Sequence, residues 1–235
     1  NYTKLLNPKL SLKLAPDYTK DSSEIDNVIN IDNIYSFNRY SEQDSVEGGV
    51  SLAYGPEYSI FDKKKSINIL EMKIANNLRL NKNDDLPKNS QFHEQISSIV
   101  NEISIRPNNI FNVNYKSSIK NNLDDINYEQ IISEIKINNL ITSFEYYNEN
   151  KFSNRNDYLS NTTSLEFDKF NSLSFSTRKN KSTDLTEYYN LAYTYRNDCL
   201  TASLEYNKEY YTDRDIKPDE GLFLKFTIFQ SNWYN

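Results

Sequence analysis

The chain has 235 residues and a net charge of −6 with a pI near 5.0, which argues against nucleic acid as a partner, because phosphate backbones recruit surplus Lys and Arg. Hydrophobic residues make up 37% and mean hydropathy is −0.78, low for one buried core, yet Tyr 19 and Phe 12 are too many for a disordered chain. No run approaches the roughly 18 apolar residues of a membrane helix, so helical spanning is excluded; strands remain, since half of each can stay polar toward a wet lumen.

In residues 8–15, Leu10, Leu12 and Leu14 alternate with Lys9, Ser11 and Lys13, which predicts a short strand ended by Pro16, because side chains of period two point to opposite sides of a sheet. Residues 17–43 form the longest connection. Ile29, Ile31, Ile34, Tyr35 and Phe37 within it predict local folding, with a helical turn near residues 31–37. Val46-Glu47-Gly48-Gly49 opens a strand through Val50, Leu52, Tyr54, Tyr58 and Ile60. Pro56 inside it predicts a bulge or an edge position. Beyond the basic turn Asp62-Lys63-Lys64-Lys65, a strand carries Leu70, Met72, Ile74, Leu78 and Leu80 on one face, and residues 81–91 read as a polar loop containing Pro87.

Ile99, Ile103 and Ile105 mark the next strand, ending at Pro107-Asn108-Asn109. Phe111, Val113, Tyr115 and Ile119 mark another, before a longer loop over residues 120–126. Ile131, Ile135 and Ile137 precede the tight Asn138-Asn139 turn, and Leu140, Thr142, Phe144 and Tyr146 follow it. After a long loop over residues 148–157 come Leu159, Thr163, Leu165 and Phe167, a brief Asp168-Lys169 turn, Leu173 and Phe175, and a loop over residues 179–184.

The alternation is clearest in the last three strands. Leu185, Tyr189, Leu191, Tyr193 and Tyr195 oppose Thr186, Asn190, Thr194 and Arg196. Past the Arg196-Asn197-Asp198 turn, Leu200, Ala202, Leu204, Tyr206 and Tyr210 oppose Thr201, Ser203, Glu205, Asn207 and Glu209. A longer loop over residues 212–219 leads to Leu222, Leu224, Phe226 and Ile228 against Lys225 and Thr227.

About twelve strands result, joined alternately by short and long connections. The short ones centre on Lys63, Asn108, Asn138, Lys169 and Asn197; the long ones centre on Ile31, Leu86, Leu123, Asn154, Lys181 and Ile216. In outer-membrane barrels short turns face the periplasm and long loops face outside, whereas a soluble sandwich has no reason to sort them. The reading is an all-β, antiparallel transmembrane barrel. The chain starts at Asn1 without a signal-peptide pattern, and truncation of an exported protein is the expectation.

Cys199 is the single cysteine and follows a short turn, which puts it at the periplasmic end of its strand, on the polar face with Thr201, Ser203 and Glu205. Two readings stand: a small packed strand residue, or half of a disulfide whose partner lies on another segment or chain, in an oxidising compartment. His93, the one histidine, lies near Ser90, Ser97 and Ser98, but a hydrolase needs nucleophile, base and orienting group together, and a solvated histidine is the simpler reading. Asp213-Arg214-Asp215 and Asp124-Asp125 are carboxylate clusters of the kind that suits hard cations, without EF-hand spacing; they read as solvated loop charges. No residue is assigned a catalytic, metal or cofactor role.

Two stretches carry a resemblance. Asn38-Arg39-Tyr40-Ser41-Glu42-Gln43-Asp44-Ser45-Val46-Glu47-Gly48-Gly49, continuing to Leu52-Ala53-Tyr54-Gly55, resembles the "NRFSG-D-x-x-E-x-G" segment and following "YG" of the lipopolysaccharide-assembly family LptD. Tyr195-Arg196-Asn197-Asp198-Cys199, then Tyr210-Tyr211-Thr212-Asp213-Arg214-Asp215-Ile216-Lys217-Pro218, resembles that family's "Y-R-x-D-C" and "RDI-x-P" motifs. The motif residues carried over are Asn38, Arg39, Asp44, Glu47, Gly49, Arg196, Asp198, Asp213, Arg214, Asp215 and Pro218.

The resemblance implies that residues 1–235 are the C-terminal segment of a larger outer-membrane barrel, with the family's N-terminal jellyroll and first strands absent. It implies no enzyme activity and no cofactor. Partners would be an LptE-like plug lipoprotein, an LptA-like periplasmic bridge reached through the jellyroll, lipopolysaccharide and outer-membrane lipids. Lipopolysaccharide would leave through a seam between the first and last barrel strands. The last strand is then Glu220, Gly221, Leu222, Phe223, Leu224, Lys225, Phe226, Thr227, Ile228 and Phe229. Cys199 matches the family's C-terminal cysteine, disulfide-linked to its N-terminal region; some members carry an adjacent pair where this chain has one. A generic pore, a barrel hydrolase using His93 and a soluble β-sandwich are the rival readings.

Overall fold

A computed structural model describes residues 2–25, 28–37, 39, 46–150, 155–210 and 219–229. Among them are twelve strands: β1 (Tyr2–Leu14), β2 (Val50–Asp62), β3 (Ile67–Arg79), β4 (Ile99–Ile105), β5 (Phe111–Ile119), β6 (Ile126–Ile137), β7 (Leu140–Asn150), β8 (Arg155–Glu166), β9 (Asn171–Asn180), β10 (Leu185–Arg196), β11 (Leu200–Glu209) and β12 (Glu220–Ile228). Each neighbours the next in a single sheet order running from β1 to β12, and every described pairing is antiparallel. No helix among the described residues is long and apolar enough to cross a membrane. The chain forms two compact units, Asn1–Ile131 with Tyr147–Asn156, and Ile132–Tyr146 with Asp157–Asn235.

In the second unit the registers give the strands two faces. Phe175 stands opposite Leu191, Leu191 opposite Tyr206, Tyr193 opposite Leu204, and Leu204 opposite Leu224. The alternate rows pair Ser174 with Ala192, Asn190 with Asn207, and Ser203 with Lys225. The apolar face is bare: Leu222 is 68% exposed, Leu224 61% and Ile228 81%. A soluble monomer seldom tolerates a contiguous patch of this kind, whereas alternating apolar and polar faces are what a membrane strand requires.

In the first unit the apolar face is also open, but part of the polar face, over β2 to β4, is covered. Ile29, Ile31, Ile34, Leu86 and Phe92, all from connections, pack on Ala53, Ala75 and Val100 of β2, β3 and β4. The small alanines leave room beneath the two connections. Phe92, Ile34 and Leu86 are 0% exposed, and each such burial stabilises by about 1.5–3 kcal/mol before ordering costs. The expected helical turn appears as hydrogen-bonded turns: Ile34 N–H donates to Asn30 O (3.1 Å) and Ser36 N–H to Asn33 O (2.9 Å). The expected polar loop near Pro87 is instead half of this small core, with a 3-10 turn at Asn89–Gln91.

Three further expectations are corrected. First, β1 begins at Tyr2, not Pro8; Pro8 lies directly opposite Pro56. Second, β2 is neither bulged at Pro56 nor an edge strand, because it pairs with both β1 and β3. Its β3 register passes from Tyr54 opposite Asn76 to Glu57 opposite Lys73, omitting Gly55 and Pro56, and shifts only between Ile60 and Phe61. Pro56 has no N–H to give, and Gly55 lets the β3 backbone close in: a Cβ there would lie 1.9 Å from Ile74 O. Third, the predicted long loops around Asn154 and Lys181 are short, because β7 runs to Asn150, β8 starts at Arg155, β9 ends at Asn180 and β10 starts at Leu185. Ladders such as Tyr158 opposite Asn180 continue through polar residues, since backbone pairing does not require an apolar side chain. Residues 15–49 and 80–98 are therefore the connections that set one end of the first unit apart.

Candidate functional site

The connection from β1 to β2 returns to the sheet through Glu47-Gly48-Gly49. Gly49 takes φ +86°, and a Cβ on Gly48 would lie 2.3 Å from Tyr18 O, so this turn is closely clamped. Gly49 N–H donates to Pro16 O and Ala15 N–H to Gly49 O, both at 3.1 Å, while Gly48 N–H donates to Thr19 Oγ1 (3.1 Å).

The clamp delivers Glu47 to three cations. Arg79 of β3 donates Nη2 to Glu47 Oε1 (2.7 Å) and Nη1 to Gly48 O (2.9 Å). Lys13 of β1 donates to Glu47 Oε2 (2.8 Å) and to Phe37 O (2.9 Å). Arg39 lies 3.8 Å from Glu47 and donates to Asn77 Oδ1 (2.6 Å) and Ser51 Oγ (3.0 Å) on the polar face. The side chains of Arg39, Glu47 and Arg79 are 1–2% exposed. Burial lowers the Arg39 pKa, opposed by Glu47 and reinforced by Arg79. Phe92 joins the apolar and ionic parts, its ring centroid 5.5 Å from the Arg39 guanidinium and 5.2 Å from that of Arg79. A buried charge is costly unless paired and hydrogen-bonded, so these contacts hold the connection down as one unit.

Of the first motif, Arg39, Glu47 and Gly49 thus come together, while Asn38 and Asp44 lie outside the described residues. Sequence reasoning missed Lys13 and Arg79. The available signal was parity, which places Lys13, Ser51, Asn77 and Arg79 on the polar side of their strands.

The second motif belongs to the other unit. Arg196 ends β10, and Asp198 and Cys199 are exposed in the turn to β11. Asn197 Oδ1 accepts from Cys199 N–H (2.9 Å) and Leu200 N–H (2.8 Å), and Phe229 N–H donates to Cys199 O (2.8 Å). Cys199 is a free thiol preceding β11. Asp213, Arg214, Asp215 and Pro218 lie outside the described residues. On β12, Leu222, Leu224, Phe226 and Ile228 oppose Tyr206, Leu204, Ala202 and Leu200. Lys225 ion-pairs with Glu205 on the polar side (2.5 Å), where Phe223 lies over the space left by Gly221. Glu220 accepts from Tyr206 Oη (2.8 Å), and Thr227 stands opposite Thr201.

His93 sits in the 80–98 connection, its Nε2 3.1 Å from Glu94. Burial, the largest influence, lowers its pKa; Glu94 opposes and Lys82 reinforces the shift. The nearby hydroxyls are committed elsewhere: Ser90 Oγ accepts from Ile29 N–H (3.1 Å), and Ser97 Oγ donates to Ser98 O (3.0 Å). Asp125 pairs with Lys120 at 2.9 Å, and Asp124 accepts from Asn122 (2.6 Å). Among the described residues no group of three or more His, Cys, Asp and Glu side chains is placed to hold a metal.

Comparison with known families matches residues 1–177 to the family described as LptD, LPS transport system D. That span contains the Arg39–Glu47 network and ends before the Cys199 turn. No curated protein matches the chain.

Proposed function

The chain belongs to the LptD family of lipopolysaccharide transport proteins, and from that premise we propose that it forms the C-terminal segment of a bacterial outer-membrane translocon that inserts lipopolysaccharide into the outer leaflet. One observation carries the reading beyond family membership. Strands with one bare apolar face and one polar face carry, on the polar side of the first unit, a cap locked by buried charges. A generic pore requires only the polar face, whereas a gated conduit requires something seated against it.

On this reading the end bearing residues 15–49 and 80–98 faces outside, and the Cys199 turn faces the periplasm. Glu220 to Phe229 line a lateral seam with the first strand of the complete barrel. Opening such a seam would leave backbone unpaired, which is costly in hydrocarbon, so the two strands would part only while cargo passes and then pair again. An LptE-like lipoprotein would fill the lumen and an LptA-like bridge would deliver cargo through an N-terminal domain. Cys199 would pair with a cysteine beyond this chain; its exposure in a polar turn suits that role.

The test is to cross-link cysteines introduced into β12 and the barrel's first strand in the full-length protein. Lipopolysaccharide delivery should stop while the barrel remains folded; continued delivery with the seam locked would rule out this exit. Non-reducing electrophoresis checks the disulfide: reduction should change the mobility of the full-length protein but not of Cys199→Ser.

A further inference from the structure

On the apolar side of the first unit the surface is not flat. A groove of about 400 Å³ opens where β1, β2 and β3 meet the 80–98 connection, lined chiefly by Leu12, Val50, Leu52, Leu78, Leu80 and Ile96. Its base is one cross-strand row. Leu12 stands opposite Leu52, Leu52 opposite Leu78, and Leu78 bridges to Ile96. The 80–98 connection thus turns back beside β3 and raises a wall there.

Backbone groups around this row are already paired. Leu80 N–H donates to Val50 O (3.0 Å) and Arg79 N–H to Gln95 O (2.7 Å). The Arg79 guanidinium, though it borders the groove, is turned to Glu47 and 2% exposed. The apolar lining is entirely aliphatic, and Leu12, Leu78, Leu80 and Ile96 remain 61%, 44%, 66% and 39% exposed. The volume falls within the range of small-molecule sites. At about 30 Å³ per water-sized group it holds roughly a dozen methylenes.

We infer that this groove seats one acyl chain of a lipopolysaccharide molecule already in the outer leaflet, its headgroup level with the 80–98 connection. The inference rests on the proposed function, which makes the apolar face lipid-facing and this end external. The groove continues the bare face of β1–β3, so its occupant comes from the same lipid phase. An aliphatic trough without a free charge selects a flexible chain over a ring or a peptide. At the external end, the lipid offered is the one this family transports. Such a site would keep a lipid ordered beside the 80–98 connection, on the face of the sheet opposite the cap.

The test uses the full-length protein extracted from outer membranes in mild detergent, washed, and weighed intact by native mass spectrometry. One tightly held lipopolysaccharide per protein is expected. It should be lost in Leu52→Trp, which fills the trough, and in Leu80→Trp, which blocks its mouth from an already exposed position. It should persist in Leu191→Trp on the apolar face of β10. Equal retention by all variants, no retained lipid in the parent, or a retained phospholipid mass would overturn the inference. A protein that stays in solution without detergent would overturn the lipid-facing reading itself.

Discussion

At the scale of single residues, the buried carboxylate of Glu47 is the most consequential side chain in the first unit. Removing one partner of a buried charge network typically costs about 3–5 kcal/mol. Glu47→Gln should therefore lower the stability of the full-length barrel by about that amount in urea unfolding, and a change near zero would mean the network contributes nothing net. The two adjacent glycines separate two kinds of constraint. Gly49→Ala meets a positive φ of 86°, a conformation costing an L-residue about 1–2 kcal/mol. Gly48→Ala instead drives a methyl into Tyr18 O at 2.3 Å and must displace the start of the 15–49 connection, so it should be the more damaging; unfolding titrations giving the reverse order would refute this. His93 gives the cap a pH dependence. Its folded pKa is depressed below 6.5 by burial, so below that value the unfolded state takes up protons before the folded state does. Stability is full above about pH 6.5 and declines as pH falls toward the folded value. Protection factors in residues 80–98, taken relative to the intrinsic exchange rate at each pH, should fall over that window, and His93→Gln should flatten the dependence.

At the scale of elements, the same residue types have opposite roles on the two faces. Leu204 is flanked by Tyr193 and Leu224 on the apolar side. Leu204→Arg should destabilise by about 2–4 kcal/mol if it lies near the bilayer midplane, while Ser203→Arg, beside Lys225 on the polar face, should cost far less. Equal costs in a lipid-reconstituted unfolding titration would place both faces in the same environment. The connections behave as packed elements too. Phe92→Ala removes a wholly buried ring, a change worth about 3–5 kcal/mol. Its effect should appear as faster exchange in residues 15–49 and 80–98, without change in β8 to β12.

For the whole molecule, the contrast between the units matters most. The first covers part of its polar face, over β2 to β4, with its own chain through the Ile29–Phe92 core. In the second, the serines of β9 and the asparagines of β10 and β11 that form the polar face are only partly buried. Deleting residues 20–36 in the full-length protein should raise conductance in planar bilayers if the cap obstructs a lumen. Unchanged conductance would show that the cap has no gating role.

Period-two alternation, the tight turns at Asn108, Asn138 and Asn197 and the aromatic-rich, low-hydropathy composition determined twelve antiparallel strands, because strand faces are a local property of spacing. The stretch from Asn38 to Gly55 carried the resemblance, and the match over residues 1–177 identifies the family. Tertiary structure alone decided where polar stretches become ladder rather than loop, since pairing is made by backbone that every residue carries. It alone also decided that residues 80–98 hide a core. Leu86 and Phe92 show no period among polar neighbours, and their burial depends on isoleucines some sixty residues away. Parity placed Lys13 and Arg79 on the polar face, but their ion pairs were not legible, because a charge there looks solvated until a distant carboxylate is folded onto it.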